Sequence, residues 1–180
     1  FGATLTSSLS ALERGSMTAR EAAMVLRECV DDLRLMMDAQ DPAAREVSTL
    51  LGMLRHRLQH RIDAAGIQLH WNMGEIVQRK ALESAQALEL LRIVQEAITN
   101  SLRHSGARNI EIAARQVRSQ IEVQVQDDGR GFIAGSVAGG RGIRSMQVRA
   151  GRLGANISIE SEQGVGTAVT VTLPPPRVGG

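Results

Sequence analysis

The sequence predicts an α+β sandwich, a mixed sheet with helices on one face, preceded by a helical hairpin. Three observations predict it. The first 65 residues carry apolar side chains at helical spacing. The remainder alternates at a period of two in five short runs, 67–73, 109–114, 120–127, 155–161 and 166–173, with helical stretches at 86–104 and 141–153 between them. The runs 109–114 and 120–127, like 155–161 and 166–173, are separated by turns too short for a helical crossover, so they read as hairpins, which argues against a doubly wound dinucleotide fold.

In order along the chain, residues 1–14 place Leu5, Leu9 and Leu12 on one helical stripe, and Arg14-Gly15-Ser16 ends it. Thr18 and Glu21 have the form of a capping box, opening a helix that runs to about Gln40. On it Ala22, Leu26, Cys29, Leu33 and Met36 repeat every four and three residues, flanked by Ala23, Val30 and Met37. So wide an apolar face needs more than one neighbour. Two hairpins closing into a four-helix bundle supply them, which predicts a homodimer; an intramolecular contact with the rest of the chain is the alternative. Asp41-Pro42 reads as a cap with proline at the first helical position, so a third helix is expected from there to about Ala65. Its His56 and His60 are four apart, but with no third ligand in view a solvated basic face with Arg55, Arg57 and Arg61 is expected. His70 falls on the polar face of the first strand. Pro174-Pro175-Pro176 ends the fold.

Composition narrows the class. Hydrophobic residues make up 43% and aromatics only 2%, with no Tyr and one Trp, so the core is aliphatic. A net charge of +2, with no Lys/Arg block, gives no reason to expect a nucleic-acid partner. The single Cys29 cannot form an internal disulfide; a buried structural thiol in a reducing compartment is expected. No run approaches the ~18 apolar residues of a membrane span.

The chemistry concentrates in four places. Glu96, Asn100 and His104 are four apart and share one helical stripe, while Leu91, Val94, Ile98 and Leu102 form another. A carboxylate and a carboxamide in line suit a hydrated Mg2+, although a plain polar face has the same pattern. In the run 120–127, parity puts Asp127 on the core face with Val125. A carboxylate there needs a donor, and an exocyclic amine would satisfy it; a loop-capping Asp is the alternative. Parity also puts Thr167 on the face of Val169, Val171 and Leu173, so Asp127 and Thr167 converge at one end of one face. Gly139-Gly140-Arg141-Gly142 leads into a helix, where bare N–H groups favour phosphate.

Together Glu96-Ala-Ile-Thr-Asn100, Asp127-Asp-Gly129-Arg-Gly131, Gly140-Arg-Gly142 and Gly164-Val-Gly166-Thr167 resemble the N box and three G boxes of histidine-kinase-type ATPases, the superfamily that includes gyrase B, Hsp90 and MutL. The stretches 100–107 and 142–154 resemble the sensor kinases that pair with helix-turn-helix response regulators. The resemblance covers about residues 67–173 well and the hairpin more weakly. It implies a Bergerat-type sandwich over 41–176, a partial dimerisation and phosphotransfer hairpin over 1–40, and a tail at 177–180. It implies ATP and Mg2+ as ligands. Asp127 would bind the adenine amino group, with Thr167 supporting that end. Asn100 would coordinate Mg2+ with Glu96 beside it. Arg103 and His104 would approach the phosphates, and Gly129, Gly131, Gly140 and Gly142 would border a lid. That lid, about 130–141, is short and lacks a phenylalanine-rich box, which puts its phosphate contacts in doubt.

The implied activity is phosphorylation of a histidine by ATP and relay to an aspartate of a response-regulator receiver domain. The implied location is cytoplasmic, with an inner-membrane sensor region of the parent left open. Two other functions compete. An anti-sigma-factor serine kinase of the same fold usually lacks such a hairpin; a nucleotide-sensing dimerisation module would show binding without transfer. Phe1-Gly2-Ala3-Thr4-Leu5 resembles the end of the family's phosphoacceptor box, which puts the expected acceptor four residues before Gly2 and outside His56, His60, His70 and His104.

Overall fold

Thr18 and Glu21 cap each other's backbone: the Glu21 amide donates to Thr18 Oγ1 at 3.2 Å, and the Thr18 amide donates to Glu21 Oε2 at 2.7 Å. The Thr18 amide first, and then the Thr18 hydroxyl at 2.8 Å, hold the Glu21 carboxyl below its ordinary range. The box starts α2 (Ala19–Gln40), which folds back on α1 (Gly2–Glu13) to make the expected hairpin. The structure, a computed structural model, describes residues 2–42, 45–74, 81–133 and 140–175.

The third helix, α3 (Val47–Ala64), begins five residues later than Asp41-Pro42 suggested. Asp41 instead closes α2, its amide donating to the Asp38 carbonyl. Just ahead of α3 the backbone is paired: Glu46, extended, forms an antiparallel bridge with Ala81, and the Leu82 amide donates to the Arg45 carbonyl. A cap-and-proline signal is local, and a long-range backbone pairing overrode it.

The remaining elements are β1 (Gln68–Met73), α4 (Ser84–Asn100), a single wide π turn at Ser101–Ser105, β2 (Asn109–Val117), β3 (Gln120–Asp127), α5 (Arg141–Leu153), β4 (Asn156–Glu162) and β5 (Gly166–Leu173). The sheet order is β1-β2-β3-β5-β4. Only β1 and β2 run parallel; β2–β3 and β4–β5 are the expected hairpins, joined by an antiparallel β3–β5 pairing. The result is the expected mixed sheet in an α+β fold.

Alternation decides what the sheet buries. Ile110, Ile112, Ala114, Ile121, Val123, Val125, Val169, Val171 and Leu173 face a layer made of α3, α4 and α5, which contributes Leu50, Leu54, Leu58, Ile62, Leu90, Leu91, Val94, Ile98, Met146 and Leu153. This core is aliphatic throughout.

The hairpin joins the core by one face only. Leu35 and Ala39 of α2 are buried in it, and around them Asp38 pairs with Arg57, Asp31 with Arg61 at 3.5 Å, and Asp32 with Arg92 at 3.8 Å. The basic face of α3 is therefore partly an ion-pair seam with α2, while His56 and His60 stay exposed. Leu9, Leu12, Leu26, Val30, Leu33 and Met37 remain exposed, Met37 by 72%. The apolar stripe read from the sequence is thus largely the side of α2 that the chain leaves open. Cys29 is free but only half-buried, so a fully buried thiol is not what the fold provides.

Candidate nucleotide-binding site

Asp127 is the last residue of β3, paired with Thr167 on β5 and with Ile110 on β2. As the alternation predicted, it faces inward, and only 5% of it is exposed. Burial of a carboxylate demands donors. Two are present: the Gly129 amide donates to Oδ1 at 2.9 Å, and the Ser101 hydroxyl donates to Oδ2 at 2.7 Å. Each oxygen retains a lone pair for a further donor.

Above Asp127 lies a cavity of about 420 Å³. Its walls are Ala97, Val125, Ile143, Met146, Ile159 and Val169, and its polar residues include Asn100, Ser101, His104, Asp127 and Thr167. Thr167 Oγ1 lies 2.9 Å from Ser161 Oγ, which also receives the Phe132 amide at 2.9 Å, so the loop after β3 is tied to the β4–β5 hairpin. Gly166 has φ +134°, and a Cβ there would run into the Asp127 carbonyl. The tight entry into β5 therefore depends on glycine.

The next residue, Asp128, turns outward. It accepts from the amides of Arg108 and Asn109, at 2.8 Å each, and from Asn109 Nδ2 at 2.7 Å. These bonds, the Asn109 side chain first, hold its carboxyl below the ordinary range and fasten the loop to the start of β2. The adjacent acids thus have different roles, one facing the cavity and one anchoring its floor.

At the other end of the cavity Gly140 is the N-cap of α5, followed by Arg141 and Gly142. The first-turn amides of a helix and its dipole favour an anion. Gly142 packs against α4: a Cβ on it would run into Glu96 Oε1 and stand 3.3 Å from Asn100 Nδ2. Glu96, Asn100 and the start of α5 therefore converge on one point. Residues 134–139, half of the expected lid and Gly139 with it, lie outside the described residues.

Of the residues singled out from sequence, Asn100, His104, Asp127, Gly131, Gly140, Gly142 and Thr167 line the cavity, and Gly129 reaches it through its bond to Asp127. Glu96 touches it at Gly142 but lines, with Arg103, a second cavity of about 230 Å³ between α2 and α4 that also includes Asp31, Arg61 and Arg92. Arg103 thus lines the cavity beside Glu96 and not the one above Asp127. Sequence reading missed Ser101 and Ser105, which with Asp127 are the buried polar residues among those described. A serine beside the box asparagine was visible, but its partner, 26 positions on, was not.

An apolar slot closed at one end by a hydrogen-bonded carboxylate, and at the other by the glycine-capped start of a helix, is built for a flat heterocycle joined to an anion. That places the chain among nucleotide-binding α+β domains. Residues 85–177 match the family model of histidine kinase-, DNA gyrase B- and HSP90-like ATPases, and the chain belongs to that family. Within it the likeness is to the histidine-kinase branch. The sensor histidine kinase LiaS of Bacillus subtilis is 30% identical over 148 residues, covering 82% of this chain and 40% of LiaS. The blue-light activated histidine kinase of Erythrobacter litoralis EL346 superposes with a TM-score of 0.71 at 21% identity, over 90% of this chain and 53% of that one. Full-length ShkA in complex with AMPPNP superposes at 0.61 with 17% identity, over 88% of this chain and 40% of ShkA. The chain thus spans less than half the length of LiaS. Among the described residues no helix is long and apolar enough to cross a membrane.

Proposed function

We propose that this chain is the ATP-binding catalytic end of a sensor histidine kinase, transferring the γ-phosphate of ATP to a histidine upstream of these residues for relay to a receiver-domain aspartate. The resemblance of residues 100–107 and 142–154 supports a partner receiver carrying a helix-turn-helix output domain. The observation that carries the proposal is Asp127, a buried carboxylate with two fixed donors and open lone pairs at the end of an apolar slot.

Each residue then has a task. Asp127 accepts from the adenine amino group, and Val125, Met146, Ile159 and Val169 take the ring faces out of water. Thr167, tied to Ser161, keeps the adenine end of β5 in place. The amides opening α5 face the phosphates, with Arg141 and His104 at the same cavity. Asn100 and Glu96, meeting at Gly142, fit Mg2+, which when bound to phosphates needs only one or two protein oxygens. The ion would neutralise charge developing on the phosphates. Catalysis here is positioning, since phosphoryl transfer asks for alignment and charge stabilisation more than for covalent chemistry.

Asn100→Ala is expected to remove most of the Mg2+-dependent gain in nucleotide affinity, about five- to tenfold for one lost ligand, while metal-free binding changes less than twofold. Calorimetry with and without Mg2+ reads this; a mutant retaining the full Mg2+ dependence makes Asn100 a packing residue.

Transfer itself is tested with radiolabelled ATP. His56 and His60 lie on α3 and His70 on β1, where its Nε2 stands 3.0 Å from Asn109 Oδ1. His104 lines the nucleotide cavity. None is on the α1–α2 hairpin. The expected result is nucleotide binding with no label on this chain, and acid-labile label on a form extended upstream by some twenty residues, lost when the upstream histidine is replaced. Phosphohistidine on the present chain would move the acceptor to one of its own four.

A further inference from the structure

The hydroxyl of Ser101 is given no task by the family boxes, yet it is 4% exposed and spends its one proton inside the site. It stands 2.7 Å from Asp127 Oδ2 and 3.2 Å from the Ala97 carbonyl. The shorter, charge-assisted bond is the stronger of the two. We infer that Ser101 is a positioning residue for adenine selectivity: it orients the Asp127 carboxylate so that the remaining lone pairs meet the exocyclic amine.

The local backbone supports this. Residues Ser101–Ser105 form a π turn, a form that accumulates at functional sites. Inside it the Ser105 hydroxyl donates to the Ser101 carbonyl at 2.6 Å and accepts the Ala107 amide at 3.0 Å, while the Ser105 carbonyl accepts the Arg130 amide at 2.8 Å. Gly129, the second donor to Asp127, lies so close to Ser105 that a Cβ on it would run into the Ser105 side chain. The turn thus holds both donors of the carboxylate. It also follows Asn100 directly, so one stretch of backbone serves the metal end with one residue and the adenine end with the next.

Without the hydroxyl, Asp127 keeps the Gly129 amide but loses the bond that fixes its second oxygen. An isolated, rotating carboxylate still accepts from an amine, at the cost of ordering it on binding. The effect should therefore appear only for ligands that carry the amine.

The inference rests on the adenine reading of Asp127, and one comparison separates the two. ADP and purine riboside 5′-diphosphate, which is ADP without its 6-amino group, are titrated calorimetrically into wild type, Ser101→Ala and Ser101→Cys. Wild type is expected to prefer ADP by about tenfold or more. Ser101→Ala should raise the ADP dissociation constant about five- to tenfold and leave that of the purine riboside nucleotide within twofold. Ser101→Cys, of similar shape with a weaker donor, should fall between; it carries the same comparison should the alanine variant not fold, as judged by its melting temperature. Equal weakening of both nucleotides, or no weakening of ADP, would reduce Ser101 to a structural residue while leaving Asp127 intact. Equal wild-type affinity for the two nucleotides would remove the adenine assignment of Asp127 and this inference with it.

Discussion

Asp127→Asn is expected to raise the dissociation constant for ADP and ATP about ten- to a hundredfold while leaving the melting temperature nearly unchanged. The side chain keeps its shape, so the β3–β5 register should survive. Its hydrogen-bonding capacity does not. Asp127 faces donors at both oxygens already, the Ser101 hydroxyl and the Gly129 amide. An adenine amine would be a third. A carboxamide has one acceptor oxygen and one NH2 group. With the NH2 toward Ser101, the hydroxyl accepts and turns its proton to the Ala97 carbonyl, so the free protein stays satisfied, but the NH2 then meets the adenine amine donor to donor. Losing such a buried match costs about 1–3 kcal/mol, and each 1.4 kcal/mol is tenfold in affinity. The same geometry predicts that wild type rejects GTP, because guanine presents a carbonyl where adenine presents the amine. Calorimetry reads both effects. Equal affinity for ATP and GTP in the wild type, or an unchanged constant in the variant, would sink the assignment.

The second large effect concerns the open side of the hairpin. Leu26→Glu together with Leu33→Glu is expected to convert a dimer into a monomer, raising its dissociation constant by a hundredfold or more, with nucleotide affinity unchanged within twofold. Both leucines are about half exposed in the isolated chain, beside Val30 and Met37. The opposite face of α2 is already used: Leu35 and Ala39 are buried against the ATPase layer, and Asp31, Asp32 and Asp38 pair with its arginines. Among the described residues, the contacts of α2 with the core fall on that opposite face and not on the stripe. A second hairpin offers the same stripe in return, as a two-fold interface requires. The double substitution would place four carboxylates in that shared seam, where an unpaired charge costs several kcal/mol. Sedimentation at several concentrations measures it. A wild-type chain that stays monomeric at about 100 μM, or a variant that dimerises as well as wild type, would refute the bundle.

Much of the site was legible because it rests on short-range rules. Alternation in 120–127 set the direction of Asp127, and alternation in 166–173 set that of Thr167; the structure pairs the two directly. Four-residue spacing put Asn100 and His104 on one face, and both line the cavity. Thr18 and Glu21 were readable as a cap because both partners lie within one turn. The failures share a different character. Asp41-Pro42 carried every local sign of a helix start, yet the helix begins only at Val47, after Arg45 and Glu46 pair with residues 81–82. Cys29 looked like a buried thiol from its apolar neighbours, but its place on α2 leaves it only half-buried.

The sequence by itself determined the class of fold, the order of its elements and the residues bordering the nucleotide cavity, because periodicity and backbone chirality translate directly into which way a side chain points. Only the tertiary structure decided which face of α2 is spent on the ATPase layer and which stays open, that Arg103 lines the cavity beside Glu96, and that Ser101 holds Asp127. Those outcomes depend on where one element lies against another. A buried carboxylate takes whichever donor the packing brings within 3 Å, and no spacing along the chain identifies a partner 26 residues away.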